Sequence, residues 1–147
     1  PGAVPLRSDL ERKRLAGAAP LEHLPPEAYT PAANRAVYDR LLRRAEALLG
    51  AGRRVLVDAT WLAPSERGHV EALAQRAGVP FSALWLEADT GTLRDRVAGR
   101  RHDASDATEE VVARQALHAR VPEHWLRIDA SRSPRDTLLD SRTALGL

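Results

Sequence analysis

Three aspartates each stand at the end of a short apolar run. Asp9 follows Ala3-Val4-Pro5-Leu6 and Arg7-Ser8, Asp58 closes Val55-Leu56-Val57, and Asp129 follows Trp125-Leu126-Arg127-Ile128. A small hydroxyl residue accompanies each: Ser8, Thr60 and Ser131. A carboxylate placed straight after buried apolar residues is costly unless it meets a partner. At the carboxyl end of a strand it can face a magnesium-bound water or a substrate hydroxyl, because ligands of open α/β sheets bind there. Taken singly, each site reads equally well as a helix N-cap, which aspartate and serine favour. Three together at strand ends point to the rim of an active site.

Opposite charge comes from Asp95-Arg96-Val97-Ala98-Gly99-Arg100-Arg101. A spacing of four places Arg96 and Arg100 on one helix face, where planar guanidiniums can grip phosphate oxygens or stack on a base. The same segment also reads as a solvated helix end with arginines favoured by the dipole. The small polar stretch His102 to Ala107 that follows has the composition of a mobile loop. Other chemistries find no support. His23, His69, His102, His118 and His124 show no short-range ligand spacing. There is no Gly-x-Ser-x-Gly elbow, and no cysteine for a disulfide, a thiolate zinc site or a thiol nucleophile.

The elements that must position these residues alternate along the chain. A strand candidate at residues 3–6 leads into a helix ending near Leu15, then a proline-rich loop from Gly17 to Pro31. Thr30-Pro31 opens a helix, with proline at its first position. Val37, Leu41, Leu42, Ala45, Leu48 and Leu49 keep helical spacing until Gly50 and Gly52. The run 55–58 reads as a buried parallel strand. A helix over 64–77, a strand over 81–86, helices over 92–100 and 107–117, a strand over 125–129 and a helix opened by Ser133-Pro134 complete the order. Strand and helix in alternation with short connections predict a single α/β domain over 1–147, a parallel sheet covered on both faces.

Composition narrows the partners. Of 22 basic residues only Lys13 is a lysine, and they interleave with 20 acidic ones to leave a net charge of +2. With six aromatics and no one-sign block, the chain lacks the pattern of a nucleic-acid-binding face, and nucleic acid is not an expected partner. No apolar run reaches the ~20 residues of a membrane span and no signal-peptide core opens the chain, so a cytoplasmic protein is expected. The sequence opens at Pro1 and contains no methionine, which predicts a piece of a longer product.

Arg7-Ser8-Asp9-Leu10-Glu11-Arg12, Val55-Leu56-Val57-Asp58-Ala59-Thr60 and Pro64-Ser65-Glu66-Arg67 together resemble the kinase half of bacteriophage polynucleotide kinase. They are closer still to the AAA-type, zeta-toxin-like small P-loop kinases. That group often appears in bacteria as a domain fused behind an aminoglycoside-phosphotransferase-like domain. Tyr29-Thr30-Pro31 and Ser105-Asp106-Ala107-Thr108 match it too, and the segment 95–101 is similar to the lid entry of adenylate kinases, so the resemblance spans almost the whole chain. It implies a P-loop NTPase-like three-layer α/β sandwich, ATP and Mg2+ as cofactors, and a lid at about 96–114.

The roles it implies are these. Asp9 would take the proton from the attacking hydroxyl. Arg12 would hold the substrate or the transferring group, and Tyr29 would line the acceptor pocket. Asp58 would orient magnesium through water, with Thr60 beside it. Arg96 would lie against the adenine, Arg100 and Arg101 would neutralise phosphate charge as the lid closes, and Ser131 and Arg132 would sit near the adenine.

One departure stands out. The Walker A loop, Gly-x-x-x-x-Gly-Lys-[Ser/Thr], is not in the 147 residues, and no Gly-Lys pair exists. The resemblance places that loop after a first, central strand (sheet order 2-3-1-4-5) upstream of Pro1, so the chain alone is expected to be inactive and poorly stable. The leading expectation is phosphoryl transfer from ATP to a small-molecule hydroxyl by the parent protein. The alternatives are a 5′-hydroxyl polynucleotide kinase and a non-catalytic nucleotide-binding or regulatory module.

Overall fold

The computed structural model describes residues 2–100 and 102–147. Four parallel-paired strands and six α-helices follow one another as β1 (Val4–Arg7), α1 (Ser8–Leu15), α2 (Pro31–Gly50), β2 (Val55–Asp58), α3 (Pro64–Ala77), β3 (Leu84–Glu87), α4 (Thr90–Ala98), α5 (Glu109–His118), β4 (Leu126–Asp129) and α6 (Pro134–Ala144). A short 3-10 turn, Pro26–Tyr29, punctuates the loop between α1 and α2. The chain divides into two compact units, residues 1–80 with 102–106, and 81–101 with 107–147.

In the first unit β1 pairs with β2 in parallel, Val4 opposite Val55 and Arg7 opposite Asp58. Its core is Leu6, Val37, Leu41, Ala45 and Leu73, each no more than 3% exposed. The α2 residues among them recur at the helical spacing visible in the sequence, and Thr30 caps that helix by accepting from the Ala33 N–H at 3.2 Å. A buried side chain of this size contributes about 1.5–3 kcal/mol through burial, so the stripe from Val37 to Ala45 seats α2 on the strand pair. Gly78 ends α3 at φ +65°, a left-handed cap that glycine adopts without a Cβ clash.

In the second unit β3 pairs with β4 in parallel, Leu84 opposite Leu126 and Glu87 opposite Asp129. Trp85 and Trp125 meet edge to face with centroids 6.4 Å apart, and Ile128, three residues past Trp125, is buried. The pairings β1–β2 and β3–β4 are those the expected strand order allots to these four strands.

Several boundaries differ from the sequence reading. The third strand begins at Leu84 rather than Phe81, because its ladder starts where the β4 partner begins, with the Leu126 N–H on the Ala83 carbonyl at 2.9 Å. The helix expected from Thr92 starts two residues earlier because Asp89 caps it, accepting from the Thr92 N–H at 2.9 Å. Coverage of the strands on both faces is incomplete. Leu56 in β2 and Leu86 in β3 remain 58% and 56% exposed.

Candidate functional site

The ends of β1 and β2 bring charge together in the first unit. The register sets Arg7 opposite Asp58, and the Arg7 Nε lies 3.3 Å from Asp58 Oδ2. That contact is an ion pair by distance without hydrogen-bond alignment, since the buried Nε has no hydrogen-bond partner. The other end of the guanidinium donates to Asp103 Oδ1 at 3.0 Å. Arg7 thus stands between two carboxylates, one from a strand end and one from the segment 102–106.

Asp9 is half-buried in the first turn of α1, two residues after this arginine. It is not the helix cap. The N-cap is Arg7, which makes no side-chain cap bond, so the capping alternative fails for Asp9. Burial pushes its carboxyl upward in pKa, Arg7 pulls it down, and Asp58 adds a further upward push; the net shift is upward. A carboxylate with increased proton affinity suits proton abstraction from a hydroxyl, because the ideal catalytic base has a pKa near the operating pH.

Arg12 lies one turn along α1 and is 9% exposed. Its Nη1 donates to the Ala28 carbonyl at 2.7 Å, and its guanidinium carbon stands 4.8 Å from the Tyr29 ring centroid. Stacking on an aromatic face is a use for which arginine is better suited than lysine. The Arg12 Nε is buried without a hydrogen-bond partner. A buried donor left unsatisfied costs about 1–3 kcal/mol.

The loop after β2 carries Thr60 and an unusual backbone. Trp61 has φ +49°, a conformation costing a bulky residue about 1–3 kcal/mol. Three contacts hold it there. The Tyr38 hydroxyl accepts from the Trp61 N–H at 3.3 Å, the Tyr38 and Trp61 rings meet at near right angles 5.2 Å apart, and Arg67 donates to the Trp61 carbonyl at 2.6 Å. The same Tyr38 hydroxyl lies 3.2 Å from Thr60 Oγ1. Tyr38 and Arg67 therefore set the path of the chain that leaves Asp58. Asp58 itself caps nothing, since the α3 N-cap is Ala63.

In the second unit a cleft of about 320 Å³ opens at the carboxyl ends of β3 and β4, lined by Glu87, Ala88, Asp89, Asp129 and Ser131. Asp129 is used locally. Its carboxylate accepts the Ser131 N–H at 2.8 Å, and that bond with a further one from the Ser131 side chain holds its pKa down. Ser131 Oγ accepts weakly from the Asp89 N–H at 3.4 Å. Arg96 donates to the Arg132 carbonyl at 2.7 Å, and the Arg132 guanidinium pairs with Asp140.

The structure thus gathers the expected site residues in two groups: Asp9, Arg12, Tyr29, Asp58 and Thr60 in the first unit, and Arg96, Ser131 and Arg132 in the second. Arg100 is exposed and lies past the end of α4, which stops at Ala98 with Gly99 as its C-cap, so it does not share a helix face with Arg96. Arg101 lies outside the described residues. Sequence reasoning gave no role to Tyr38, Arg67, Asp103, Asp106 or Lys13, although Arg67 and Asp106 fall in segments that carry the resemblance and Lys13 is the one lysine among 22 basic residues. Among the described residues no group of three or more His, Cys, Asp or Glu side chains could hold a metal ion, and no helix is long and apolar enough to cross a membrane.

Known proteins share this arrangement at two levels. An uncharacterized protein of Mycobacterium tuberculosis is 34% identical over 101 residues, 69% of this chain and 20% of the relative, and an uncharacterized protein of Mycobacterium bovis matches to the same extent. The chain therefore spans about a fifth of the length of the curated relatives it matches. Among solved structures, a sugar kinase from a Janibacter species superposes with a TM-score of 0.67 at 17% identity, covering 99% of this chain and 80% of that one. A gluconokinase from Sinorhizobium meliloti gives 0.66 at 16%, covering 99% and 78%. A tunicamycin resistance protein from Deinococcus radiodurans gives 0.64 at 13%, covering 100% and 84%. At these identities the likeness establishes the fold, an α/β arrangement of parallel strands and helices shared with P-loop kinases. The AAA domain family matches residues 1–122, the stretch that carries Asp9, Arg12, Tyr29, Asp58 and Arg96, and the chain belongs to that family.

Proposed function

We propose that the full gene product transfers the γ-phosphoryl group of ATP to a hydroxyl of a small molecule in the cytoplasm, with Asp9 as general base. The observation that carries this reading is the setting of Asp9, half-buried in the first turn of α1 between Arg7 and Arg12, with its carboxyl pushed upward by burial. In the step, the acceptor oxygen bonds to the γ-phosphorus as the bond to the bridging oxygen of ADP breaks. The hydroxyl proton passes to Asp9. Arg12 holds an oxygen of the acceptor or of the transferring group, and Tyr29 lines the pocket beside it.

Asp58 is exposed at a strand end and fits the role of holding Mg2+ through water, which needs one carboxylate rather than a cage. When bound, that ion neutralises phosphate charge. Arg96, Ser131 and Arg132 are assigned to the adenine side, and Arg100 and Arg101 to phosphate charge within a lid at 96–114. No Gly-Lys pair occurs in the chain, so the cradle of the β- and γ-phosphates is assigned to none of these residues. The greater length of the curated relatives supports a further domain in the same product, with an aminoglycoside-phosphotransferase-like domain as the proposed one.

The test is a coupled ADP-release assay on the full gene product with Mg2+-ATP and a panel of hydroxyl compounds. The panel holds gluconate and other sugar acids, neutral sugars, tunicamycin and a 5′-hydroxyl oligonucleotide. The expected result is turnover of a small molecule, lost by about 10²–10⁴-fold in Asp9→Asn while calorimetry finds ATP affinity unchanged. An Asp9→Asn enzyme turning over at the wild-type rate removes the base assignment. ATP binding without any acceptor points instead to a nucleotide-binding module, and turnover of the oligonucleotide alone to a polynucleotide kinase.

A further inference from the structure

Lys13 is the most deeply buried basic side chain described, 2% exposed on the interior of α1. Its Nζ donates to Asp106 Oδ2 at 2.6 Å and to the Glu22 carbonyl. Asp106, 9% exposed, takes more than this one partner. The same oxygen accepts from the Leu24 N–H at 3.1 Å and from the Tyr29 hydroxyl, and His23 Nδ1 lies 3.1 Å from the other oxygen. One carboxylate therefore gathers residues 22 to 29, the proline-rich loop between α1 and α2, onto the lysine that follows Arg12. Burial would push the Asp106 carboxyl upward, but the bonds from Lys13, Tyr29 and the Leu24 N–H outweigh it and hold it ionised below its ordinary range.

That loop has little else to order it. It has no buried apolar side chain, and Leu21 is more than half exposed. Yet it supplies both neighbours of Arg12, the Ala28 carbonyl at 2.7 Å and the Tyr29 ring at 4.8 Å. A phenol anchored at its hydroxyl end presents a fixed ring face, and a fixed ring face with a fixed carbonyl leaves the Arg12 guanidinium one orientation. Asp103, three residues before Asp106, is held in turn by Arg7 at 3.0 Å. The short segment 102–106 thus bonds Arg7 through Asp103 and Lys13 through Asp106.

We propose that Asp106 is a positioning residue of the acceptor pocket: paired with Lys13, it pins the Tyr29 hydroxyl and thereby sets the orientation of Arg12 toward the acceptor. This rests on the reading of Asp9, Arg12 and Tyr29 as the acceptor side of a kinase. The occupant of the pocket is the hydroxyl compound that accepts the phosphoryl group, with an oxygen held by the Arg12 guanidinium. Asp106 touches no reacting atom and acts through Tyr29.

The experiment uses the full gene product labelled with 3-fluorotyrosine, which reports on Tyr29 and Tyr38, the only two tyrosines of the chain, with other tyrosines of the product assigned by substitution. Removing Asp106 alone would strand a buried ammonium, so the variant is Lys13→Met with Asp106→Leu, which leaves neither an unpaired charge nor an oxygen to accept from the Tyr29 hydroxyl. The Tyr29 resonance is expected to move to the position of a solvent-averaged phenol while that of Tyr38 stays. Against the panel above, the acceptor KM is expected to rise about tenfold with the ATP KM held, the signature of lost acceptor binding. Tyr29→Phe is expected to raise the acceptor KM comparably and to add little in the triple variant, because both act through one contact.

An unmoved Tyr29 resonance overturns the proposal, and so does a parallel rise in both KM values or full additivity with Tyr29→Phe. A wild-type protein that phosphorylates nothing in the panel defeats the kinase reading instead. The Tyr29 resonance in the paired variant still decides whether Asp106 pins that residue.

Discussion

Glu11 holds the helix that carries the candidate chemistry, and replacing it with glutamine tests how. Its carboxylate is fully buried and receives three guanidiniums: Arg14 on the same helix, and Arg40 and Arg44 one turn apart on α2. Arg40 Nε donates at 2.8 Å. A hydrogen bond to a charged group contributes about 1.5–3 kcal/mol when desolvated, whereas exposed ion pairs contribute about 0.2–1 kcal/mol. The three arginine side chains are 48%, 38% and 40% exposed, so water competes for each. They are also not stranded when the carboxylate goes, unlike the partner of a fully buried pair. Between those limits, and allowing for the amide oxygen that glutamine keeps, Glu11→Gln is expected to cost about 2 kcal/mol. For a chain of this size that is a fall in Tm of about 6–8 °C.

The pH dependence has a definite sign. Burial alone would raise the Glu11 carboxyl, but the bonds from Arg40, Arg44 and Arg14 outweigh it and lower it from its ordinary 4.5. A group with a depressed folded-state pKa contributes stability above its unfolded value and loses it as pH falls through the folded one. The gap between wild type and Glu11→Gln is therefore expected to be constant from pH 7 to 5 and to close below about 4.5 as the glutamate itself is protonated. Urea melts of the full gene product at several pH values measure the gap, and hydrogen exchange at α1 and α2 amides assigns it to this unit. A variant within about 0.5 kcal/mol of wild type at pH 7, or a gap unchanged at pH 3, refutes the charge argument and leaves packing as the cause.

Asp9 has the opposite sign. Its folded-state carboxyl is raised, chiefly by burial, so its contribution is present below the unfolded carboxylate range and lost as pH rises through the folded value. Asp9→Asn is expected to melt higher than wild type at pH 7 and to match it at pH 3, a gain in stability accompanying the loss of transfer. Thermal melts at the two pH values check this, and equal Tm at both counts against a desolvated base. Leu41 is fully buried at the centre of the first core, and Leu41→Ala is expected to cost about 2–5 kcal/mol in a denaturant titration.

Much of the fold was legible because its signals are local. The α2 start is written in Thr30-Pro31 and its buried face in the spacing from Val37 to Ala45, so cap, proline and period agree before any tertiary contact exists. The run 55–58 is too short and too apolar for a helix. The start of β3 was not legible, because Phe81-Ser82-Ala83 runs into Leu84-Trp85-Leu86 with no Gly or Pro between them and only the extent of β4 decides where a ladder begins. The same limit governs the site. Asp9 and Asp58 stood out by their places at strand ends, and Arg12 through the resemblance carried by residues 7–12. Tyr38, Arg67 and Asp106 act across 22, 6 and 93 residues of sequence on Thr60, Trp61 and Lys13, and no periodicity encodes such pairings.

By itself the sequence determined the alternation of strand and helix, the parallel character of the strands and the placing of carboxylates at their ends. Those follow from periodicity, from the length of apolar runs and from the cost of burying charge next to them. Only the tertiary structure decided what each charged group does. Asp129, exposed at the end of β4, closes a local turn on Ser131, while Asp9 is left half-buried, uncapping and proton-hungry between two arginines. It likewise made the one lysine a buried anchor for a loop rather than a surface cation. Each outcome depends on which partners come within about 3 Å in a medium of lowered dielectric, and that is a property of the folded arrangement rather than of residue order.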